Sequence, residues 1–230
     1  MRLALLGKNI SHSLSPSLYR EILGHELESY ELIDAADPAS IPSLAEMART
    51  LNGLNITAPY KKHFFSQVIT SEILKRIGAI NCIAFGKSEI IGTNTDYIAT
   101  REILQRMTIG EACQLILLGS GSMATMTKII AEELGLPLKQ YSRSTEANLS
   151  GLDLRSSHSS EKKTIIINSC SRDFIFQGLV HHEAHFWDYN YNFSPHSQSL
   201  PSRVKTYTDG TELLRLQAIA AVNFWRENKL

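Results

Sequence analysis

The sequence has 230 residues, of which 43% are hydrophobic and 20% are charged, a composition typical of a folded globular protein with one large domain or two smaller ones. Lysine and arginine together number 23, as do aspartate and glutamate, so the formal net charge of zero gives no electrostatic argument for binding nucleic acid or an anionic membrane. No stretch approaches the roughly 18 apolar residues of a membrane helix, the apolar run before Gly7 is too short for a signal peptide, and the three widely spaced cysteines predict reduced thiols in a cytoplasmic protein.

The N-terminal half of the chain alternates short apolar runs with helical patterns, which predicts an α/β fold. The predicted strands are residues 2–6, 30–34 and 53–57, followed by a hairpin of 79–85 with 89–94. The predicted helices are residues 16–24, 41–51, 70–78 and 96–107.

The C-terminal half continues the alternation. A buried strand at 114–118 leads into a glycine turn, a helix that ends at Leu134 and a second strand at 138–142. Residues 144–163 are polar and rich in serine, which predicts a surface loop or a much reduced helix. The remaining predicted elements are strands at 164–168 and 185–189 and a last helix at 210–228.

The glycine turn is Gly119-Ser120-Gly121-Ser122-Met123-Ala124, a G-x-G-x-x-A pattern between a predicted strand and a predicted helix. In a dinucleotide site, Gly119 allows the tight turn, Gly121 lets the backbone approach a pyrophosphate, and Ala124 permits close packing of helix on strand. The N–H groups of the helix N-terminus then face the phosphates. The alternative is a glycine turn that holds no ligand.

The end of the second strand of this unit indicates which dinucleotide is bound. NAD sites usually carry an acidic residue there for the ribose hydroxyls, whereas this chain has Ser142, Arg143 and Ser144. The planar fork of Arg143 suits a 2′-phosphate and the serines add hydroxyl groups, so the pattern favours NADP. Taken alone, Arg143 could equally be a solvated surface arginine.

Three polar clusters precede the glycine turn. Ser13 and Ser15 lie in a hydroxyl-rich loop at a helix start, where donors for a carboxylate are expected, although simple helix capping would need only one serine. Lys61 follows the strand 53–57, where open α/β sheets bind ligands, but it could also be an exposed turn residue. Asp96 precedes a helix, where a cap or a first-turn carboxylate is the alternative.

In order and spacing, these segments resemble the shikimate dehydrogenase family over nearly the whole chain. The matching patterns are Ser-x-Ser-Leu-Ser-Pro at 11–16, Asn-Ile-Thr-x-Pro-x-Lys at 55–61, Gly-Ala-Ile-Asn at 78–81, Gly-x-Asn-Thr-Asp at 92–96, the glycine turn, Ile-Asn-Ser at 167–169, and Asp-Gly at 209–210 followed by Gln217.

The resemblance implies an α/β protein of two domains with a cleft between them. Residues 1–98, completed by 210–230, would form a substrate-binding and catalytic domain, and residues 99–209 a Rossmann-like NADP-binding domain with a shortened polar insert. The implied activity is reversible NADP-dependent reduction of 3-dehydroshikimate to shikimate, a step of chorismate and aromatic amino-acid biosynthesis. The implied partner is this small molecule, bound by a monomer or a homodimer without nucleic acid, membrane or metal.

The resemblance also implies roles for individual residues. Lys61 would donate and accept the proton, with Asp96 as its partner. Ser13 and Ser15 would bind the substrate carboxylate, with Tyr191 nearby. The implied binders of substrate hydroxyls are Thr57, Asn81 and Gln217. The implied cofactor residues are Gly119, Ser120, Gly121, Ser122, Met123, Ala124, Ser142, Arg143, Ser144, Asn168, Ser169 and Gly210.

Departures from the family pattern leave other functions open. Tyr97 and Glu212 stand where the family usually has glycine, and residues 170–172 replace its usual Thr-Ser segment. A related quinate or shikimate-like dehydrogenase with altered substrate or cofactor is one alternative, and a ligand-binding relative without turnover is another. The histidine-rich run 181–185 lacks His-Glu-x-x-His spacing, so no metal site is predicted.

Overall fold

The computed structural model describes residues 1–158 and 160–228. The chain divides into two compact units, one of Met1–Ala99 with the C-terminal residues from Arg215 onward, and one of Thr100–Leu214. The division expected from the sequence placed residues 210–214 in the first unit, whereas here they belong to the second. Among the described residues, no helix combines the length and apolarity needed to span a bilayer.

The first unit is built on a five-stranded sheet in the order β2-β1-β3-β4-β5. Strands β1, β2 and β3 are parallel, and β4 and β5 form an antiparallel hairpin beside β3. The strands are β1 Arg2–Gly7, β2 Ser29–Asp34, β3 Gly53–Ile56, β4 Cys82–Phe85 and β5 Ile90–Thr93. The helices of the first unit are α1 Ser15–Leu23, α2 Leu44–Met47, α3 Glu72–Ile77 and the beginning of α4 Thr95–Thr108, with 3-10 turns at Gly24–Glu26, Pro38–Ser40 and Phe65–Gln67.

The strand directions collect several loops at one edge of this sheet. Since β4 runs against β3 and β5 runs against β4, the amino end of β4 lies beside the carboxyl ends of β1, β3 and β5. The register pairs Asn55 with Cys82, and Cys82 with Thr93. The loops that follow β1, β3 and β5 therefore meet the residue that precedes β4.

The C-terminal helix α7, Thr211–Glu227, packs its last turns on the first unit. Trp225 is fully buried against Tyr19, and its indole N–H donates to the Ile83 carbonyl over 2.9 Å. A Cβ atom added to Gly53 would collide with the Trp225 indole ring. Glycine at this strand position is thus required by the close approach of the tryptophan.

The second unit has a five-stranded sheet in the order β10-β9-β8-β6-β7, in which every pair is parallel. The expected α/β fold with a Rossmann-like domain is confirmed. The strands are β6 Cys113–Leu118, β7 Leu138–Tyr141, β8 Lys163–Asn168, β9 His185–Asp188 and β10 Thr206–Thr208, and the remaining helices are α5 Ser122–Glu133 and α6 Ser194–Ser199.

Most predicted elements are present, with three differences. The helix predicted over 41–51 is regular only at Leu44–Met47, because Ser43 caps its start and the N–H groups of Arg49 and Thr50 bond three positions back instead of four. Strand β10 and helix α6 were not predicted. The polar segment 144–163 is loop with a single 3-10 turn at Arg155–Ser157, and its Ser159 lies outside the described residues.

Candidate active site

Lys61 and Asp96 meet at the loop-bearing edge of the first sheet. The Lys61 ammonium donates to Asp96 Oδ2 over 2.7 Å, and the two side chains are 19% and 14% exposed. Among residues 1–158 and 160–228, the ammonium makes no other side-chain hydrogen bond, although it carries three donors. Lys61 is therefore a positioned and largely buried cation, in contrast to an exposed turn lysine.

The helix that carries Asp96 is capped by another residue. Asn94 Oδ1 accepts the backbone N–H of Tyr97 over 3.0 Å, which is the bond that an N-cap side chain makes to the third helical residue. Asn94 also donates to the Ala79 carbonyl. Because Asn94 supplies the cap, the Asp96 carboxylate is available to Lys61 from the first turn of α4.

Asn81, which precedes β4, is fixed by the start of the same helix. Its Oδ1 accepts both the backbone N–H and the hydroxyl of Thr95, at 2.7 and 3.2 Å. The Thr95 hydroxyl also contacts Gln217 Oε1 on α7 over 3.2 Å. Two predicted hydroxyl-binding residues, Asn81 and Gln217, are thus joined through Thr95, a buried residue that the sequence analysis did not single out.

The loop after β1, which contains Ser13 and Ser15, is anchored at its start by a carboxylate. Asp34, at the end of β2, accepts the backbone N–H groups of Asn9 and Ile10 at 2.7 and 3.2 Å. The loop then turns so that the hydroxyls of Ser13 and Ser15 lie 3.2 Å apart. The two hydroxyls form one donor patch at the N-terminus of α1, which is the geometry expected of a carboxylate binder.

The sequence analysis also missed a hydrogen-bonded pair close to this loop, Tyr30 and Asn55. The Tyr30 phenol donates to Asn55 Oδ1 over 2.9 Å, and Asn55 is only 6% exposed. Burial raises the pKa of Tyr30, which keeps the phenol a neutral donor, while a hydrogen bond to Ser15 acts in the opposite direction. A polar asparagine inside a buried strand was the available signal. Thr57, two residues further on, is half-buried at the end of β3.

The remaining predicted substrate residue, Tyr191, belongs to the second unit. Arg172 donates to its backbone carbonyl over 2.8 Å and places its guanidinium 5.7 Å from the centre of its ring. The Arg172 guanidinium is also 5.5 Å from the Phe193 ring. One of the residues that replace the usual family segment therefore holds Tyr191 in place.

The glycine turn has the local geometry that a dinucleotide needs. Gly119 has φ +115°, in the region that favours glycine, and a Cβ there would lie 2.6 Å from Ser169 Oγ. Around a Cβ built on Gly121, no heavy atom of the described residues lies within 4 Å. Ala124 is fully buried between α5 and the sheet. The open space above Gly121, at the start of α5, fits a pyrophosphate.

The predicted discriminator of the cofactor lies at the end of β7. The hydroxyls of Ser142 and Ser144 are 2.7 Å apart, and Arg143 between them is exposed. Hydrogen bonding to Ser171 lowers the pKa of Asp173, and the nearby Arg143 charge lowers it further. The arginine thus stands beside the loop after β8, and within the described part of the chain it forms no ion pair of its own.

The other predicted cofactor residues follow β8 and precede α7. Ser169 directs both its backbone N–H and its hydroxyl to the Leu118 carbonyl, at 2.9 and 2.7 Å, so it lies directly beside the turn. Asn168 points its side chain into the protein and is fully buried. Gly210 donates to the Asn190 carbonyl, and a Cβ there would collide with the carbonyl of Tyr189. The exposed residues of the turn, Ser120 and Ser122, and the half-buried Met123 surround the start of α5.

The comparisons with known proteins match these features. A family model described as the shikimate dehydrogenase substrate binding domain matches residues 5–83. A shikimate dehydrogenase of Sulfurisphaera tokodaii is 28% identical over 97% of this chain and 88% of its own length. The chain is thus similar to shikimate dehydrogenases along nearly its whole length. A second relative, the shikimate dehydrogenase (NADP(+)) of Thermus thermophilus, is 31% identical over 65% of this chain and 58% of its own length.

Solved structures of shikimate dehydrogenases have the same fold. The Thermus thermophilus enzyme in complex with NADP(H) and shikimate superposes with a TM-score of 0.74 at 23% identity, covering 99% of this chain and 94% of that one. The Aquifex aeolicus enzyme gives a TM-score of 0.77 at 19% identity, covering 100% and 94%. Both sheets of the chain therefore follow the fold of these solved structures.

Proposed function

We propose that this protein catalyses the reversible NADP-dependent reduction of 3-dehydroshikimate to shikimate, a step of chorismate and aromatic amino-acid biosynthesis. The observation that carries the proposal is the largely buried Lys61–Asp96 ion pair at the sheet edge where the hydroxyl-directed residues gather. Relatives named shikimate dehydrogenase (NADP(+)) and the solved complex with NADP(H) and shikimate support this choice of substrate and cofactor.

In this reaction a ring ketone gains a hydride at carbon and a proton at oxygen, and bound NADPH is the source of the hydride. In this proposal Lys61 donates the proton. Its ammonium lies at the sheet edge with donors that Asp96 does not use, so it can stabilise the alkoxide character of the oxygen and deliver a proton to it. In the oxidative direction the same amine accepts the proton.

Asp96 positions Lys61 and is not itself the proton donor in this scheme. A single charge-assisted hydrogen bond of 2.7 Å fixes the direction of the ammonium, since lysine has a long and flexible stem. Asn94, by capping α4, leaves the carboxylate oriented for this bond. The three residues act as one unit, in which Lys61 alone would touch the reacting oxygen.

The substrate would be held by the polar groups at the same edge. Ser13 and Ser15 present adjacent hydroxyls for the single carboxylate. Asn81 and Gln217, which are joined through Thr95, would bind the ring hydroxyls. Thr57 is assigned to the ring hydroxyls as well. A neutral protein suits this ligand, because only one negative charge needs local compensation.

The second unit would hold the cofactor. The N–H groups of residues 120–123 would face the pyrophosphate at the start of α5, where Gly121 leaves room for it, and Arg143 with Ser142 and Ser144 would bind the 2′-phosphate. Asn168, Ser169 and Gly210 line the same carboxyl edge of the sheet. Because no carboxylate ends β7, the proposed cofactor is NADP rather than NAD.

The test is a steady-state assay that follows NADPH absorbance with shikimate or quinate, each with NADP⁺ or NAD⁺. We expect turnover with shikimate and NADP⁺ at the highest kcat/KM. Preference for quinate or for NAD⁺ would assign the chain to the altered-specificity alternative. Binding of shikimate without turnover in any combination would assign it to ligand binding alone and would refute the proposal.

The proposal also covers the cellular location, the assembly state and the metal independence of the protein. The three cysteines are free thiols, which suits a reducing cytoplasm. The expected assembly is a monomer or a homodimer, and light scattering coupled to size exclusion would distinguish the two. No group of three or more metal-ligating side chains occurs in the described stretches 1–158 and 160–228, so turnover should survive treatment with EDTA.

A further inference from the structure

A fully buried carboxylate at the end of β9 has no part in the reaction as written above. Asp188 Oδ1 accepts hydrogen bonds from the Asn168 amide at 3.0 Å and from the backbone and side chain of Asn190 at 2.9 and 3.0 Å. Asp188 Oδ2 accepts from His196 Nδ1 at 2.5 Å. A buried charge is costly unless donors surround it, and here the donors come from three segments: Asn168 at the end of β8, Asn190 after β9 and His196 on α6.

The direction of this network is fixed by a backbone amide. The Phe176 N–H donates to His196 Nε2 over 2.8 Å, and an amide N–H can only donate, so Nε2 carries no proton. The ring proton is therefore on Nδ1, where it donates to Asp188. His196, which is fully buried on α6, is a neutral imidazole that links the loop after β8 to the end of β9.

The network reaches the glycine turn through the residues after β8. Asn168 Oδ1 accepts the Cys170 N–H over 3.1 Å, and the Asn190 side chain donates to the Cys170 carbonyl over 3.0 Å. Between them, Ser169 bonds twice to the carbonyl that precedes Gly119. The segment 168–170 thus forms the wall against which the turn is packed, and its position depends on Asp188.

We infer that Asp188 and His196 are positioning residues for the cofactor turn: their hydrogen-bond chain fixes segment 168–170 beneath Gly119 and so sets the affinity of the second unit for NADP. The inference rests on the proposed function only in naming NADP as the ligand. Neither residue touches the dinucleotide in this scheme. They act by holding Ser169 and Asn168 where the turn needs them.

The substitution Asp188→Asn tests the hydrogen bonds that the Asp188 carboxylate accepts. An amide has one accepting oxygen, so its NH₂ group must face either the donors on Asn168 and Asn190 or the Nδ1–H of His196. If the His196 ring instead moved its proton to Nε2, that N–H would point at the Phe176 N–H, and two donors would face each other. We expect NADP⁺ to bind about tenfold more weakly by isothermal titration of the full-length protein.

Two substitutions at His196 separate the roles of its nitrogens. Asn at this position can place its amide nitrogen near that of Nδ1 and keep a donor for Asp188, whereas Leu cannot. We expect His196→Asn to retain NADP⁺ affinity within about threefold and His196→Leu to lose about tenfold. Both variants lose the acceptor for the Phe176 N–H, so the difference between them reports the bond to Asp188.

If Asp188 served only the stability of the second unit, any destabilising substitution there would weaken NADP⁺ binding to a similar extent. Leu154→Ala, at a buried residue of the hydrophobic core that also contains Phe176 and Phe186, should destabilise the second unit and removes none of the hydrogen-bonding groups of the network. If Leu154→Ala weakens NADP⁺ binding as much as Asp188→Asn does, or if Asp188→Asn binds like wild type, the inference is overturned. Failure of the wild-type protein to bind NADP⁺ would overturn the proposed function together with it.

The wild-type protein supplies a check that does not depend on a variant folding. The ¹⁵N–¹H correlation spectrum of the imidazole groups should contain one neutral ring protonated at Nδ1, absent from His196→Asn. If the signals lost in His196→Asn belong to a ring protonated at Nε2, or at both nitrogens, the hydrogen-bond direction is contradicted and the positioning role with it.

Discussion

Lys61 and Asp96 are separated by 35 positions in the sequence, yet their charged atoms are 2.7 Å apart and both side chains are mostly shielded from solvent. The contact arises because β3 and β5 end at the same edge of the sheet, one strand apart. Partial burial makes the pair more than a surface salt bridge, whose net contribution is usually below about 1 kcal/mol. In the proposed reaction, this pair would hold the cation for the ketone oxygen.

The first prediction concerns the proton donor. Lys61→Ala should lower kcat for shikimate oxidation by a factor of about 10²–10⁴, because general acid–base catalysis contributes about that much. KM should change far less, since the proposal assigns the substrate carboxylate and hydroxyls to other residues. Steady-state kinetics in both directions would measure the split.

The neighbouring lysine provides the matched control. Lys62→Ala removes the same side chain from an exposed position and should leave kcat within about twofold of wild type, as surface changes usually do. Asp96→Asn should retain more activity than Lys61→Ala because the amine remains. A large rise in KM with unchanged kcat in Lys61→Ala would exclude the proton-donor role.

Arg143 is predicted to discriminate between the two dinucleotides. Arg143→Gln should raise KM for NADP⁺ by about 10- to 100-fold, the loss expected when charge-assisted hydrogen bonds to a phosphate are removed, and should leave KM for NAD⁺ nearly unchanged. Lys128→Gln, an equal change of charge at an exposed position on α5, should alter neither constant. Parallel losses for both dinucleotides would show that Arg143 does not contact a 2′-phosphate.

Glu212 stands where a glycine was expected near the cofactor, and the structure directs its side chain to a partner. Arg106 binds it over 2.7 Å, with both side chains about half exposed. A double-mutant cycle with Arg106→Ala and Glu212→Ala, followed by urea unfolding, should give a coupling of about 0.2–1 kcal/mol. A coupling above about 2 kcal/mol would show that solvent does not screen the pair.

Cys170 offers a pH-dependent probe of the cofactor turn. Burial raises the pKa of its thiol to about 11 from an ordinary value of 9.0, while the Arg143 charge acts in the opposite direction. Any stability that this shift contributes is therefore present at neutral pH and is lost as the pH rises through about 11.

Alkylation of Cys170 should accordingly be slow at pH 7 and should accelerate about tenfold per pH unit until the thiol ionises. NADP⁺ should protect it, since the thiol lies beside Gly119. Cys170→Ser should abolish the pH-dependent labelling, because Cys82 and Cys113 are buried. Rapid labelling at pH 7 that is indifferent to NADP⁺ would contradict both expectations.

Hydrophobic periodicity predicted the central strands well because these strands are buried over most of their length. The strands at 2–6, 53–57 and 164–168 are rich in apolar residues, and the structure places them in the interior of the two sheets. The length of helix α2 was overestimated because residues 48–51 have helical propensity, yet the regular helix ends at Met47 and the N–H groups of Arg49 and Thr50 bond only three positions back.

The polar contacts were predictable only where a pattern pointed to them. Family resemblance paired Lys61 with Asp96, but the sequence alone could not distinguish a paired carboxylate from a helix cap until Asn94 was seen to cap the helix. The Asp188–His196 bond had no signal, since neither residue lies in a motif and each is drawn inward by partners from other elements. Buried polar networks of this kind depend on three-dimensional register, which periodicity does not encode.

The two glycines of the turn should respond to alanine in opposite ways. Gly119→Ala forces a Cβ to within 2.6 Å of Ser169 Oγ at φ +115°, so it should destabilise the second unit by about 1–3 kcal/mol. Gly121 has φ −74° and open space around it, so Gly121→Ala should fold with wild-type stability. Its methyl group would nevertheless occupy the side from which a pyrophosphate approaches, and NADP⁺ binding should weaken. Thermal unfolding and titration of both variants separate the effects, and wild-type NADP⁺ affinity in Gly121→Ala would mean that the cofactor does not approach this turn.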